Sequence, residues 1–125
     1  MLADLGTVLV VDDDAAVRAA LKFALEVEGF HVRVYEGPQA LLDDSQLPEH
    51  ACLVIDYRMP ELDGIELVDA LRRRKVTLPA ILISGRVSKQ LQSLARRSGL
   101  TRVLEKPLSD ATLVENIRGA LAAAG

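Results

Sequence analysis

Three short runs of apolar residues constrain the fold more than any other feature of this sequence. They are "VLVV" at 8–11, "CLVI" at 52–55 and "AILI" at 80–83. A strand with one face in water alternates apolar and polar residues, whereas a continuous run is typical of a strand that is buried on both faces. Strands of this kind occur in parallel sheets that helices cover on both sides. The three runs therefore predict a layered α/β fold.

Helical patterns separate the apolar runs. The first is predicted to begin after a capping residue, Asp14, and to end at Gly29. Short helices are predicted through 41–42 and, from the spacing of Leu91, Leu94 and Ala95, around 91–95. Two further helices are predicted around 67–71 and 113–121. The apolar residues that we expect on one face of the first helix are Val17, Ala20, Leu21, Ala24 and Leu25.

Two further segments complete a repeating order of strand and helix. "HVRVY" at 31–35 alternates and predicts an edge strand, and "TRVLE" at 101–105 predicts a fifth strand. Right-handed crossovers arrange five such units as a doubly wound (βα)5, flavodoxin-like α/β fold with a five-stranded parallel sheet. A chain of 125 residues suits one domain. We expect a single domain over 1–125, with its core at about 6–122.

Composition and charge argue against several classes of function. A net charge of −3 provides no general attraction to nucleic acid or to an anionic membrane. The chain has no apolar run near the roughly 20 residues that cross a bilayer, and "MLADLG" does not resemble a signal peptide. The one cysteine, Cys52, lies in an apolar segment, which predicts a buried thiol and a reducing, cytoplasmic setting.

Polar residues follow the predicted strands at the ends where ligands bind. In a doubly wound sheet, ligands bind beyond the carboxyl ends of the strands, where the strand order reverses. Asp12 and Asp13 follow the first strand, Asp56 the third, Ser84 the fourth and Lys106 the fifth. We therefore expect five polar groups from four strands to converge on one crevice.

Magnesium binding and phosphoryl chemistry both suit this set of residues. Clustered carboxylates are hard oxygen ligands of the kind that Mg²⁺ prefers, and the ion offsets their mutual repulsion. A carboxylate is also a nucleophile toward phosphorus and forms an acyl phosphate. Such a reaction needs positive charge on the phosphoryl oxygens, which Mg²⁺ and the Lys106 ammonium would supply. The Ser84 hydroxyl would donate one more hydrogen bond.

Four motifs resemble a known family when they are taken together. "VLVVDDD", "LVIDYRMPELDG", "ILISG" and "LEKPL", in this order and spacing, are similar to the receiver domain of two-component response regulators. The resemblance extends over roughly residues 6–122. The segments "DYRMP" and "EKP" are most similar to the FixJ-type subgroup of that family.

The resemblance implies a role for each acidic residue of the predicted crevice. Asp56 would be the phosphoacceptor. Asp13 would bind Mg²⁺ directly and Asp12 mainly through water, with Asp56 and the backbone carbonyl of Arg58 completing the protein ligands.

The resemblance also assigns the remaining polar groups. Ser84 would be the hydroxyl that moves on switching, and Lys106 would contact the phosphoryl group. The Lys106–Pro107 peptide is expected to be cis. The loop after Asp56 would be shaped by Met59, Pro60 and Gly64.

The function implied by the resemblance is phosphorylation-controlled signalling. A sensor histidine kinase or a histidine phosphotransfer protein would phosphorylate Asp56. The change would alter the face formed by the fourth helix, fifth strand and fifth helix, and so control a downstream protein or an output domain. The same face is the expected contact surface if the chain forms a homodimer. A phosphorylation-independent interaction module and a phosphate sink in a relay are the alternatives, and the chain is either a stand-alone regulator or part of a longer one.

Other classes of function fit the residues less well. An aspartyl-phosphate phosphatase usually needs a general acid near its nucleophile, but Arg58 stands two residues after Asp56 and no cap segment is inserted. The chain is therefore not predicted to be an enzyme. A flavin or nucleotide module would need a glycine-rich loop after the first strand, where this chain is acidic. The basic run "RRRK" at 72–75 is interpreted as a solvated helix end.

Several residues bear on how switching would occur. Val103 stands where the family usually has Tyr or Phe, so an aromatic switch is not available here. Arg86, two residues after Ser84, is hypothesised to modulate the dephosphorylation rate. A further basic group is interpreted as a solvated face, with docking of an acidic partner or a second copy as the alternative: Arg96, Arg97 and Arg102.

Overall fold

The computed structural model describes residues 5–100 and 102–124 of the chain. Within them strand and helix alternate in the predicted order, although Thr101, at the predicted start of the fifth strand, lies outside the described residues. The strands are β1 (Thr7–Val11), β2 (His31–Tyr35), β3 (Cys52–Asp56), β4 (Ala80–Ser84) and β5 (Arg102–Glu105). The helices are α1 (Ala15–Glu28), α2 (Pro38–Leu42), α3 (Gly64–Arg73), α4 (Lys89–Arg97) and α5 (Asp110–Ala124).

The five strands form one parallel sheet in the order β2-β1-β3-β4-β5. The predicted doubly wound fold is therefore confirmed, with β2 at one edge as its alternating sequence indicated. Strand order reverses between β1 and β3, which are neighbours in register with Val11 opposite Ile55. The carboxyl ends of these two strands therefore lie side by side, and the polar residues that follow them are brought together.

Two aliphatic cores cover the sheet, one on each face. Leu9, Leu53 and Leu82 belong to the core under α2, α3 and α4. The alternate residues Val10 and Val54 belong to the core under α1 and α5. Successive residues of a strand point to opposite faces, so a strand between two cores has to be apolar throughout. This arrangement explains the three continuous apolar runs of β1, β3 and β4.

The ends of α1 and α3 are set by local capping. The Asp14 carboxylate accepts hydrogen bonds from two amides of the first turn of α1, and Gly29 ends that helix with φ 110°, as predicted. Asp63, which its place before Gly64 predicts to be a turn residue, is the N-cap of α3. It exchanges hydrogen bonds with Glu66 in a capping box.

The predicted apolar faces of α1 and α4 are only partly correct. Ala20 and Leu94 are exposed, although helical spacing placed them with buried neighbours. On α1, Phe23 is 72% exposed and Val27 is 69% exposed, while Leu25 is buried. The helix therefore turns large apolar side chains toward solvent as well as toward the core.

Two expectations drawn from composition have structural counterparts. Cys52 is fully buried on β3, and burial raises the pKa of its thiol to about 12, so it carries almost no reactive thiolate at neutral pH. Across the described ranges, none of the helices combines the length and the apolar character that a bilayer span requires.

The basic run at 72–75 closes α3 as predicted, with three of its residues exposed, and Arg72 and Arg74 in addition hold loops together. The Arg72 guanidinium donates to the carbonyls of Val76 and Leu78, both at 2.9 Å, and to that of Gly99 at 3.4 Å. Arg74 donates to the carbonyl of Leu42 at 2.7 Å. These contacts join α3 to the loops before β4 and β5 and to the end of α2.

We expect Arg72→Met to lower the free energy of unfolding by about 1–3 kcal/mol, because three backbone carbonyls lose a charged donor. Urea unfolding followed by circular dichroism measures the change. The matched control is Arg73→Met, since Arg73 is exposed on the same turn of α3. Equal stability of the two variants would contradict a structural role for Arg72.

Candidate functional site

The residues predicted to share one crevice meet at the carboxyl edge of the sheet. The Lys106 ammonium lies 3.2 Å from a carboxylate oxygen of Asp56. The backbone N–H of Lys106 donates to the carbonyl of Ser84 at 2.8 Å, which joins the ends of β4 and β5. Asp12 and Asp13 directly follow β1, beside the end of β3. The structure therefore brings Asp12, Asp13, Asp56 and Lys106 together, and it joins the Ser84 backbone to that of Lys106 at the same edge.

Three carboxylates form a cluster at the centre of this edge. One carboxylate oxygen from each of Asp12, Asp13 and Asp56 lies within 4.8 Å of the other two. Asp12 is only 4% exposed, the Asp56 side chain is 12% exposed, and Asp13 is exposed to solvent. The cluster thus has a buried floor and an open side.

Backbone contacts fix Asp12 in place. Its N–H donates to the carbonyl of Tyr35 at 3.2 Å, and its own carbonyl accepts from the Arg18 guanidinium at 2.8 Å. The N–H of Asp14 donates to the Asp12 carboxylate at 2.9 Å. The sequence analysis did not identify Tyr35 or Arg18. Tyr35 is the register partner of Val11, so the next residue of the chain after Val11, Asp12, continues the pairing with Tyr35.

Burial governs the electrostatics of the two inner carboxylates. It is the largest cause that raises the pKa of Asp12 and of Asp56 above the ordinary range, because a charged group loses hydration there. The Asp56 charge further raises the pKa of Asp12, while the Asp14 amide lowers it. Lys106 lowers the pKa of Asp56. The cluster therefore holds more negative charge than its single ammonium offsets.

The donor set fits a small divalent cation. All three side chains offer hard oxygen ligands, and two ligands on opposite sides of a Mg²⁺ ion are about 4 Å apart. The spacing of the three carboxylate oxygens, within 4.8 Å, is close to that requirement. The cation would also relieve the repulsion and the desolvation that raise the two pKa values. The individual ligand roles of the three aspartates stay predictions.

The Asp56–Lys106 pair lies at the border between the buried floor and solvent. Lys106 is 40% exposed, so its ammonium is available to a group that approaches Asp56 from outside. The Lys106–Pro107 peptide is cis, as the sequence resemblance implied. Screening by solvent makes this pair a modest contributor to stability. Its geometry is better suited to placing a positive charge beside the Asp56 carboxylate.

The Ser84 hydroxyl is engaged with the loop that follows it. Ser84 is 3% exposed, and its hydroxyl donates to the carbonyl of Arg86 at 2.9 Å and accepts from the Arg86 N–H at 3.3 Å. The next amide, that of Val87, donates to the Glu105 carboxylate at 2.8 Å. Glu105 is not among the predicted site residues, although it directly precedes Lys106 and is the register partner of Ser84 in the sheet.

The loop after Asp56 approaches the strand closely at Gly64. The Gly64 N–H donates to the carbonyl of Tyr57 at 2.8 Å. A Cβ atom at Gly64 would lie 2.5 Å from a methyl carbon of Leu82 and 2.9 Å from the Asp56 carbonyl oxygen. Glycine is therefore required beside Asp56. Arg58 is exposed in this loop, and the role of its carbonyl as a metal ligand stays a prediction.

We expect Gly64→Ala to lower the free energy of unfolding by about 1–3 kcal/mol, because the new methyl group has to displace Leu82 or the Asp56 backbone. Thermal unfolding followed by circular dichroism measures the loss. Gly37→Ala is the matched control, since no atom lies within 4 Å of a Cβ at Gly37 and its φ is extended. A Gly64→Ala variant as stable as this control would contradict the close approach.

The α4–β5 surface differs from what an aromatic switch requires. Val103 is partly buried opposite Leu82 and packs against the core under α4. It lines an open cleft of about 270 Å³ whose other walls are Gln92, Ala95, Arg96, Leu100 and Arg102. The Arg102 guanidinium donates to the side chain of Asn116 on α5 at 2.8 Å, so Arg102 is partnered as well as solvated.

A family of known proteins matches almost the whole chain. A sequence model of the response regulator receiver domain family matches residues 8–118. The transcriptional regulatory protein FixJ of Bradyrhizobium diazoefficiens is 37% identical over 116 residues, which are 93% of this chain and 57% of FixJ. The regulatory protein CpxR of Escherichia coli is 40% identical over 117 residues, which are 91% of this chain and 48% of CpxR.

A solved structure supports the same relationship. The crystal structure of FixJ-N aligns with 98% of this chain and 96% of that chain, with a TM-score of 0.87 and 33% sequence identity. The chain spans about half the length of the curated relatives FixJ and CpxR, which are transcriptional regulatory proteins.

Proposed function

The chain belongs to the response regulator receiver domain family, and we propose that it receives a phosphoryl group on Asp56 and relays that event through its α4–β5–α5 face. The observation that carries this proposal is the cluster of Asp12, Asp13 and Asp56 with the Lys106 ammonium 3.2 Å from Asp56. Nucleophile, cation ligands and countercharge lie together at one edge of the sheet.

Asp56 is the nucleophile in this proposal. One of its carboxylate oxygens attacks the phosphorus of the donor, and the bond between phosphorus and the donor atom breaks. The donor leaves with the bonding electron pair, and the product is an acyl phosphate on Asp56. The Lys106 ammonium is placed to neutralise charge on the phosphoryl oxygens, and its partial exposure leaves it accessible to the incoming group.

Asp12, Asp13, the Asp56 carboxylate and the Arg58 carbonyl are proposed to hold Mg²⁺, Asp13 directly and Asp12 mainly through water. When bound, Mg²⁺ supplies positive charge that relieves the carboxylate repulsion and stabilises the transferred phosphoryl group. The backbone contacts of Asp12 keep its carboxylate in position before the cation arrives. Asp13 lies on the solvent-exposed side of the cluster.

Ser84 is proposed to connect the chemistry to the surface. A hydroxyl has one proton to donate, and the Ser84 proton is given to the Arg86 carbonyl. Donation to a phosphoryl oxygen on Asp56 requires that this bond break, which releases the Arg86 carbonyl in the loop before α4 from Ser84. Phosphorylation adds a charge of about −1.5 to −2 and thereby biases two arrangements of the loop.

The partners follow from this chemistry. The phosphodonor is proposed to be a sensor histidine kinase or a histidine phosphotransfer protein, and the recipient of the signal a downstream protein or output domain. Phe23 and Val27 support a protein contact on α1, because their large apolar side chains are largely exposed there. A homodimer through the α4–β5–α5 face is a second possible assembly.

The proposed chemistry is limited to gain and loss of the chain's own phosphoryl group. We therefore propose a signalling module in the cytoplasm and not an enzyme that turns over a small substrate. The net charge of −3 favours a protein partner over direct binding to nucleic acid or to an anionic membrane.

Intact mass spectrometry tests the proposed phosphoacceptor. We expect the chain to gain one phosphoryl group when it is incubated with acetyl phosphate and Mg²⁺. The gain should be lost in Asp56→Asn, because an amide is a poor nucleophile, and when EDTA removes the metal. The matched control is Asp69→Asn, which changes an aspartate on α3 and should keep the adduct.

Two results would contradict the proposal. A phosphoryl group gained equally by Asp56→Asn would place the acceptor elsewhere. No gain by the wild-type chain with either acetyl phosphate or phosphoramidate would favour a phosphorylation-independent interaction module.

The same adduct tests the proposed role of Arg86. Its exposed side chain lies two residues beyond Ser84, and the proposal is that its bulk hinders a water that attacks the phosphoryl group on Asp56. We expect Arg86→Ala to shorten the lifetime of the adduct by about threefold or more. Arg118→Ala on α5 is the control for loss of an exposed positive charge. An unchanged lifetime in Arg86→Ala would remove this role.

A further inference from the structure

The loop between β4 and α4 is held by two neighbouring contacts. The Ser84 hydroxyl on β4 donates to the Arg86 carbonyl at 2.9 Å and accepts from the Arg86 N–H at 3.3 Å. The Glu105 carboxylate on β5 accepts from the Val87 N–H at 2.8 Å. The Arg86 carbonyl and the Val87 N–H belong to the same planar peptide unit, which therefore connects the two contacts. A displacement of the carbonyl also displaces the N–H.

The two anchoring residues are themselves fixed relative to each other. Ser84 and Glu105 are cross-strand partners in the parallel ladder of β4 and β5. The N–H of Lys106 donates to the Ser84 carbonyl at 2.8 Å, which continues the ladder by one residue. The ladder fixes the backbone of Glu105, and the side chain reaches the loop from there.

The contact at Glu105 is the charge-assisted one of the two, and its carboxylate is exposed at the end of β5. A hydrogen bond between a backbone amide and a carboxylate is charge-assisted, and at 2.8 Å it is shorter than the Arg86 N–H contact to Ser84. Glu105 thus holds Val87, and through it the Arg86 carbonyl, where that carbonyl takes the single proton of the Ser84 hydroxyl.

We infer that Glu105 is a positioning residue that restrains the Ser84 hydroxyl through the Arg86–Val87 peptide and so slows phosphorylation of Asp56. The inference rests on the proposed function. While Glu105 holds the loop, the hydroxyl is engaged away from an incoming phosphoryl group. Release of the loop frees the hydroxyl, and the population shifts toward the arrangement that receives phosphate.

The rate of phosphorylation by acetyl phosphate with Mg²⁺ tests the inference. We expect Glu105→Ala to raise the rate by about threefold to tenfold, the range that corresponds to one net hydrogen bond. Glu105→Gln retains an oxygen acceptor for the Val87 N–H and should give a smaller rise. Glu115→Ala removes an exposed negative charge from α5 and should leave the rate unchanged.

A double-mutant cycle distinguishes this role from a general effect on structure or charge. We expect Glu105→Ala to have no effect on the rate when Ser84 is already replaced by Ala, because the restrained hydroxyl is then absent. The same acceleration in the Ser84→Ala background would overturn the inference. So would a rate in Glu105→Ala alone that is equal to or lower than that of the wild-type chain.

Hydrogen exchange of the Val87 amide gives a readout that needs no phosphodonor. We expect exchange to be faster in Glu105→Ala than in the wild-type chain, with Glu105→Gln between them. Unchanged exchange would show that Glu105 does not anchor the loop and would overturn the inference by itself. A wild-type chain that takes up no phosphoryl group would instead contradict the proposed function, while the exchange data would still decide whether the anchor exists.

Discussion

The crowding of three carboxylates over a buried floor is the constraint on which the rest of this site depends. Asp12, Asp13 and Asp56 are held with oxygens within 4.8 Å of one another, and only one ammonium, that of Lys106, contacts the cluster among the described residues. Burial opposes ionisation of the two inner carboxylates most, and repulsion between like charges at this spacing adds to that cost. A sheet with two covered faces supplies the rigidity that keeps the side chains together.

The same constraint explains where the rigid and the movable parts of the molecule lie. β1 and β3 are central strands in register, so the carboxylates that follow them are fixed on the sheet. Ser84 also ends a central strand, but its hydroxyl bonds to a loop instead of to the cluster. A phosphoryl group on Asp56 would therefore meet fixed charges on one side and an exchangeable hydrogen bond on the other. In the proposed mechanism, a response to phosphorylation would therefore begin in the loop before α4.

Sequence patterns predicted the fold well because its determinants are local or repeated. Continuous apolar runs identify strands between two cores, and Asp14 and Gly29 end a helix through contacts within a few residues. The cap at Asp63 was also local, since Glu66 three residues later completes a capping box, but its place before Gly64 favoured a turn. The exposure of Ala20 and Leu94 depends on how helices dock, which spacing alone does not determine.

The candidate site was predictable to the extent that it lies on strand ends. Asp12, Asp13, Asp56, Ser84 and Lys106 follow strands whose carboxyl ends share one edge, so topology brings them together. Arg72 and Glu105 were missed for a common reason. Each contacts backbone atoms of another segment, at Gly99 and Val87, and a backbone acceptor or donor leaves no trace in the residue type. Only the packing of distant segments reveals such contacts.

Because Val103 has no aromatic ring, the hydrogen bonds of the loop between β4 and α4 are the candidates for linking Ser84 to the α4–β5 surface. Val103 packs against the core under α4 and has no polar atom that responds to Ser84. In the proposed mechanism, coupling between the acidic cluster and the α4–β5 surface would then pass through groups that change hydrogen-bond partners. The Arg86–Val87 peptide is such a group. Its carbonyl accepts a hydrogen bond from the Ser84 hydroxyl, and its N–H donates one to the Glu105 carboxylate. A hydrogen-bonded loop can thus take the place of a rotating ring.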